Sequence, residues 1–114
     1  MISVYFVDAL TGFASGTNGY AVKTTNAGTN WLVLNIGVMH LLNAIHFINP
    51  NSGWVAASDS RIYKTTNAGN NWNVLYHNGL CGLNSVCFVN DQTGWIANCE
   101  GAIHKTTNDG INWV

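Results

Sequence analysis

One nine-residue string occurs three times, at Lys23–Trp31, Lys64–Trp72 and Lys105–Trp113, with a step of 41 residues each time. It reads Lys-Thr-Thr-Asn-Ala-Gly-Thr-Asn-Trp, then Lys-Thr-Thr-Asn-Ala-Gly-Asn-Asn-Trp, then Lys-Thr-Thr-Asn-Asp-Gly-Ile-Asn-Trp. The register runs outward without a gap. Val4, Phe6 and Val7 align with Ile45, Phe47 and Ile48, then with Val86, Phe88 and Val89; Gly12-Phe13 aligns with Gly53-Trp54 and Gly94-Trp95. Asn43 and Asn84 close the first two units at the same place. A repeat of this period makes each unit one supersecondary element that covers its apolar surface by stacking on its neighbours.

Each unit reads as four short strands. Residues 44–48 are rich in β-formers, and Asn49-Pro50-Asn51-Ser52-Gly53 is a dense turn signal. Trp54 to Ala57 form a second strand, turned at Ser58-Asp59-Ser60; Arg61 to Thr65 form a third; Asn67-Ala68-Gly69 turn again, and Trp72 to Tyr76 form a fourth. No stretch carries a sustained apolar stripe of period 3.6, so helix is expected to be nearly absent. Val4, Phe6 and Val7, like Ile45, Phe47 and Ile48, would point apolar groups to both faces of a sheet. A sheet apolar on both faces needs a neighbour on each. The chain therefore reads as an all-β protein, a β-propeller segment over residues 1–114 with blade repeats 3–43, 44–84 and 85–114. The last repeat is truncated, leaving about 2.8 four-stranded blades per chain.

The segment Thr-x-Asn-x-Gly-x-Asn-Trp resembles the Asp-box, Ser-x-Asp-x-Gly-x-Thr-Trp, of sialidase-type and related (BNR-like) propellers. The wider pattern, from Val-x-Phe through Thr-Gly-Trp to the box, is similar to the repeats of the photosystem II stability/assembly-factor type. The resemblance covers nearly the whole chain. It implies a propeller fold and, by the assembly-factor likeness, a protein-binding scaffold. The box itself reads as a folding device. Asn26, Asn67 and Asn108 sit where a side-chain oxygen can accept from the turn's own N–H groups. Gly28, Gly69 and Gly110 can take a positive φ. Trp31, Trp72 and Trp113 are expected to fold back as apolar wedges burying roughly 200 Å² each.

Composition removes several function classes. Charged residues are 8% of the chain, with four Lys+Arg, five Asp+Glu and a net charge of −1, while apolar residues are 47%. Disorder needs low hydrophobicity or a charge excess, and four cations cannot neutralise many phosphates, so no nucleic acid partner is expected. No apolar run nears the ~20 residues of a membrane span, so no membrane insertion is expected; the segment after Met1 lacks a basic region and cleavage pattern, so nothing marks the chain for export and its location stays open.

The sialidase likeness implies a cluster of arginines with a Tyr/Glu pair and an acid, yet the chain has the single arginine Arg61. A glycosidase pair of carboxylates would have to come from Asp8, Asp59, Asp91, Glu100 and Asp109, of which Asp8, Asp91 and Asp109 read as turn residues. No catalytic residue is assigned and no enzyme is expected. His40, His46, His77 and His104 show no metal-ligand spacing, so no metal or other cofactor is expected. Cys81, Cys87 and Cys99 are an odd count in a chain without a signal sequence, which makes free thiols the default. A cross-strand disulfide between Cys87 and Cys99 is the alternative.

The three units diverge most at residues 36–43 and 77–84 and at turns 17–19, 58–61 and 99–101, which share one rim of a propeller. Asp59, Arg61, Glu100, His40, His77 and Tyr76 lie on or beside this rim and form the candidate binding residues. Three blades cannot close a circle. An open wedge would leave two apolar faces of about 350 Å² each, beyond what monomers usually expose. Self-association is expected, with a head-to-tail homodimer of six blades favoured over a nine-bladed trimer; a piece of a longer propeller chain is the alternative. Two readings of function remain: a scaffold whose rim binds a protein, and a lectin-like ring binding neutral glycans through its Asn, Thr, Gly and aromatic residues.

Overall fold

The computed structural model describes residues 2–37, 39–76 and 81–114. Three antiparallel sheets follow one another along the chain. The first holds β1 (Ser3–Phe6), β2 (Gly12–Ser15), β3 (Tyr20–Thr24) and β4 (Leu32–Asn35). The second holds β5 (Leu42–Phe47), β6 (Gly53–Ala57), β7 (Arg61–Thr65) and β8 (Asn73–Tyr76). The third holds β9 (Leu83–Phe88), β10 (Gly94–Asn98) and β11 (Ile103–Thr106). Strand order within each sheet follows the chain, so every sheet is an up-and-down meander. Beyond β11, Val114 and Lys105 exchange both backbone hydrogen bonds at 2.9 Å, in the register that Asn73 has with Lys64. The sole helical feature among the described residues is the 3₁₀ turn Thr17–Gly19, and no helix is long and apolar enough to cross a membrane.

The strands follow the turn and β-former signals to within one residue at their ends, with one larger extension. β5 starts at Leu42, ahead of Ala44, because Leu42 is fully buried and its backbone is held from the first sheet: its N–H donates to the Gly16 carbonyl and its carbonyl accepts from Ser15 Oγ. Asn43, the next residue, donates through Nδ2 to the Leu83 carbonyl at 2.9 Å, which ties the second sheet to the third.

The apolar residues on both faces of each unit are explained by where the core lies: between the sheets. Phe13, Ala21 and Leu34 of the first sheet meet Ile45, Phe47, Val55 and Tyr63 of the second. Ala44, Trp54, Ala56 and Ile62, on the opposite face of the second sheet, meet Val86, Phe88 and Ile96 of the third. At the centre of each contact two rings stack, Phe13 on Phe47 at 3.6 Å and Trp54 on Phe88 at 4.1 Å. The box tryptophans meet the first-strand phenylalanines edge-on, at 6.2 Å for Trp31 on Phe6 and 6.3 Å for Trp72 on Phe47 and Trp113 on Phe88. Their burial is smaller than the sequence led one to expect. Trp31 remains 39% exposed, because Phe6 lies on a sheet face that none of the described residues covers.

The turn between the first two strands of each sheet is closed by one side chain. Asp8 Oδ1 accepts from Leu10 and Thr11 N–H, Asn49 Oδ1 from Asn51 and Ser52, and Asn90 Oδ1 from Gln92 and Thr93. The two N–H donors hold the Asp8 carboxyl below its ordinary value. A group depressed in the folded state contributes stability above its unfolded pKa and loses it as pH falls through the folded one. Asp8→Asn keeps the acceptor that Asn49 and Asn90 already supply. It is expected to leave the melting temperature at pH 7 unchanged and to flatten its decline below about pH 4. Thermal melts from pH 7 to pH 2 check this.

Candidate functional site

The β6–β7 turn, residues 58–60, lies under both inter-sheet linkers. Ser58 N–H donates to the Leu41 carbonyl at 2.9 Å, and Leu41 N–H donates to Ser58 Oγ at 3.2 Å. From the other side Ser60 Oγ donates to the Cys81 carbonyl, and Gly82 passes so close that a Cβ there would sit 2.9 Å from the Ser58 backbone. Ser60 takes φ +68°, a left-handed conformation that turns the chain sharply into β7. The two linkers thus converge on this turn and make the middle of the rim a single packed unit.

Asp59 stands at its centre. Oδ1 accepts from Arg61 N–H at 3.2 Å, Oδ2 accepts from Tyr63 Oη at 2.9 Å, and His40 Nε2 lies 3.7 Å from Oδ2. The Asp59 side chain is 11% exposed while that of His40 is 51% exposed. Burial, and then the Asp59 carboxylate that its hydroxyl donates to, push the Tyr63 phenol above its ordinary value, so Tyr63 stays a neutral donor at physiological pH. Arg61 is exposed, and its backbone pairs with Tyr76 across β7–β8. This arrangement offers a shielded carboxylate, an outward guanidinium and an outward imidazole within one turn.

The structure therefore brings together three of the six rim residues proposed from sequence: Asp59, Arg61 and His40. Glu100 lies apart, exposed in the β10–β11 turn, where its N–H donates to Asn98 Oδ1. Tyr76 is placed by its backbone in β8, and His77 lies outside the described residues. Sequence reasoning missed Tyr63, four residues from Asp59, because the two meet only when Ser60 takes its left-handed conformation. It also missed an open concavity of about 310 Å³ on the same rim, lined by Asn18, Tyr20, Val33, Asn35 and Met39 among others.

The cysteines require a correction. Neither three free thiols nor a Cys87–Cys99 bridge is found; Cys81 is bonded to Cys99, with Cα atoms 5.9 Å apart, and Cys87 is free and exposed. Register explains the difference. Cys87 pairs with Trp95, four residues short of Cys99, whereas the Cys99 N–H donates to the Gly82 carbonyl beside Cys81. The bridge fastens the second linker to the β10–β11 turn on this rim.

On the opposite rim the box residues form three near-identical knots. Asn26, Asn67 and Asn108 accept through Oδ1 from the N–H groups of Asn30, Asn71 and Asn112, each at 2.9 Å. Gly28, Gly69 and Gly110 take φ of +89°, +89° and +81°. Their carbonyls accept from the indole N–H of Trp31, Trp72 and Trp113. One threonine, the first residue of the box motif and given no role in the sequence reading, ties each knot: Thr24, Thr65 and Thr106 Oγ1 each accept from the glycine N–H at 2.9 Å and donate to the asparagine Oδ1 at 3.0 Å. Of the carboxylates weighed for glycoside cleavage, Asp8 closes a turn and Asp109 pairs with Lys64 Nζ at 2.8 Å. Among the described residues, no group of three or more His, Cys, Asp or Glu side chains is placed to hold a metal ion.

Solved structures share this architecture. A YCF48 bound to a D1 peptide superposes with a TM-score of 0.87 at 22% identity, covering 99% of this chain and 39% of the other. YCF48 from Cyanidioschyzon merolae gives 0.86 at 20% identity, over 99% of this chain and 38% of the other. An ancestral GH74 enzyme gives 0.73 at 18% identity, over 98% of this chain and 19% of that one. The chain thus spans about two-fifths of the length of the YCF48 structures it matches. No curated protein matches its sequence. The family model described as photosynthesis system II assembly factor YCF48 matches residues 1 to 114, and the chain belongs to that family.

Proposed function

We propose that this chain is a non-catalytic, protein-binding propeller segment whose linker rim takes an extended segment of a partner protein, and that it completes its ring with a second copy of itself. The observation that carries the protein-binding reading is family membership over the whole chain, together with the likeness to a YCF48 structure determined with a D1 peptide. The rim supports it physically. Asp59, Arg61 and His40 present opposite charges and hydrogen-bonding groups within one turn, beside an apolar concavity that includes Tyr20, Val33 and Met39. An extended peptide needs this combination: donors and acceptors for its backbone and charged side chains, and an apolar surface for its remaining side chains.

The test is fluorescence anisotropy with overlapping labelled peptides spanning D1, titrated with the 114-residue chain. Specific binding is expected, weakened at least about tenfold by Arg61→Ala. Binding that Arg61→Ala leaves untouched would move the site off this rim. Absence of binding to every peptide, with binding to neutral oligosaccharides on a glycan array, would replace the scaffold reading with the lectin one.

A further inference from the structure

The two end faces of the chain carry the two halves of a contact that the chain makes twice internally. Between the first and second sheets Phe13 stacks on Phe47, which lies over Gly53; between the second and third Trp54 stacks on Phe88, which lies over Gly94. At the outer end of the first sheet Phe6 lies over Gly12 in the same way, yet it is 41% exposed and, among the described residues, no ring is stacked on it. At the outer end of the third sheet Trp95 occupies the register of Phe13 and Trp54. It pairs with Lys105 and Cys87 as Trp54 pairs with Lys64 and His46. The lysine lies over each of these rings alike: Lys23 at 5.7 Å from Phe13, Lys64 at 5.4 Å from Trp54, Lys105 at 5.6 Å from Trp95.

The polar contacts repeat as well. Lys23 Nζ reaches the Ala68 carbonyl in the box turn of the next sheet at 3.4 Å, and Lys64 Nζ reaches Asp109 there at 2.8 Å. Lys105 lies over Trp95 as those lysines lie over Phe13 and Trp54, and the corresponding box position on the first sheet is Ala27. Along the first strands, the Tyr5 ring meets that of His46 at 4.6 Å, and His46 Nε2 lies 3.0 Å from the Phe88 carbonyl. Cys87 is the next member of that row. Around these groups Val4, Val33 and Ile103 are 62%, 64% and 70% exposed.

Deepening the ring-closing part of the proposed function, and resting on it, we propose that the outer face of the third sheet docks onto the outer face of the first sheet of a second copy, with Trp95 stacked on Phe6 and Lys105 directed to the box turn at Ala27. Each face has what the other lacks, and neither matches itself: third face against third face would set Lys105 against Lys105. The contact is therefore heterologous, and two copies present six sheets, a number at which such a ring closes.

The experiment uses four substitutions in the 114-residue chain, none of which touches the Phe13–Phe47 or Trp54–Phe88 stack. Light scattering of the unaltered chain is expected to give twice 12.3 kDa. Trp95→Ser alone and Phe6→Ser alone are each expected to weaken association at least about 100-fold. Mixing the two is expected to restore dimers, because the Trp95 of one partner meets the Phe6 of the other. In Tyr5→Cys, treated with diamide, the new thiol is expected to form a disulfide with Cys87 of the second copy and give a covalent dimer, abolished by Cys87→Ser. A 12.3 kDa unaltered chain overturns ring closure itself. A dimer that survives both serine variants and forms no Tyr5→Cys cross-link overturns only the stated pairing. Serine variants that dissociate but do not complement on mixing also overturn the heterologous arrangement.

Discussion

Gly53→Ala is expected to lower the stability of the fold by about 3 kcal/mol or more, while Gly12→Ala, the same change at the same repeat position, lowers it by less than about 1.5 kcal/mol. A Cβ at Gly53 would fall 2.5 Å from the Phe47 ring, and one at Gly12 would fall 2.6 Å from that of Phe6. What differs is the other side of the ring. Phe47 is fully buried and is held there by Phe13 at 3.6 Å and by the edge of Trp72. It can make room only by displacing a close-packed layer of the neighbouring sheet, and interiors at crystal-like density do not yield cheaply. Phe6 is 41% exposed, so its ring can tilt outward by the angstrom required. Urea denaturation of both variants alongside the unaltered chain measures the difference. Equal costs would mean that the phenylalanine–glycine contact is decided within a sheet, and that the stacking between sheets adds no rigidity to it. The measurement is made at one fixed chain concentration, since a covered Phe6 would raise the cost of Gly12→Ala.

This comparison also shows where the sequence was legible. The phenylalanine of the first strand, the glycine opposite it and the aromatic residue after that glycine recur at one spacing because together they build one stack. A periodic string can expose such a design without any knowledge of the third dimension. The rim is different. Asp59 meets Tyr63 through a left-handed Ser60, meets His40 through a linker from the preceding sheet, and sits under Gly82 from the following one. None of those meetings has a period. The disulfide failed for a related reason: parity along a strand says which face a cysteine takes, but only the register of β9 on β10 says that Cys99 lies beside Cys81 and well away from Cys87. The exposure of Trp31 was hidden too, because its motif is that of its counterparts and its position at an end face sets it apart.

Thr65→Val is expected to cost about 2–3 kcal/mol, more than Asn67→Asp at the asparagine that gives the box its character. Thr65 is fully buried, and its hydroxyl is the hub of the turn. Oγ1 accepts from Gly69 N–H at 2.9 Å and Asn67 N–H at 3.3 Å while donating to Asn67 Oδ1 at 3.0 Å. Valine fills the same volume and suits a strand, so the change removes the hydroxyl and little else. It leaves the N–H of Gly69, itself buried, without an acceptor, and the penalty is the desolvation of that donor. Asn67→Asp keeps the Oδ1 that accepts from Asn71 N–H and gives up only the exposed amide bond to Asn71 Oδ1, so at pH 7 its cost should stay within about 1 kcal/mol. Thr65→Ser is the control: it retains the hydroxyl, loses one methyl and should cost roughly 1 kcal/mol. Thr24→Val should cost less than Thr65→Val, because Gly28 is only partly buried and water can replace the lost acceptor there. Calorimetric melts of the four variants order these costs. If Thr65→Val and Thr65→Ser melt together, the hydroxyl is not what holds the turn, and the glycine's left-handed conformation must suffice for it.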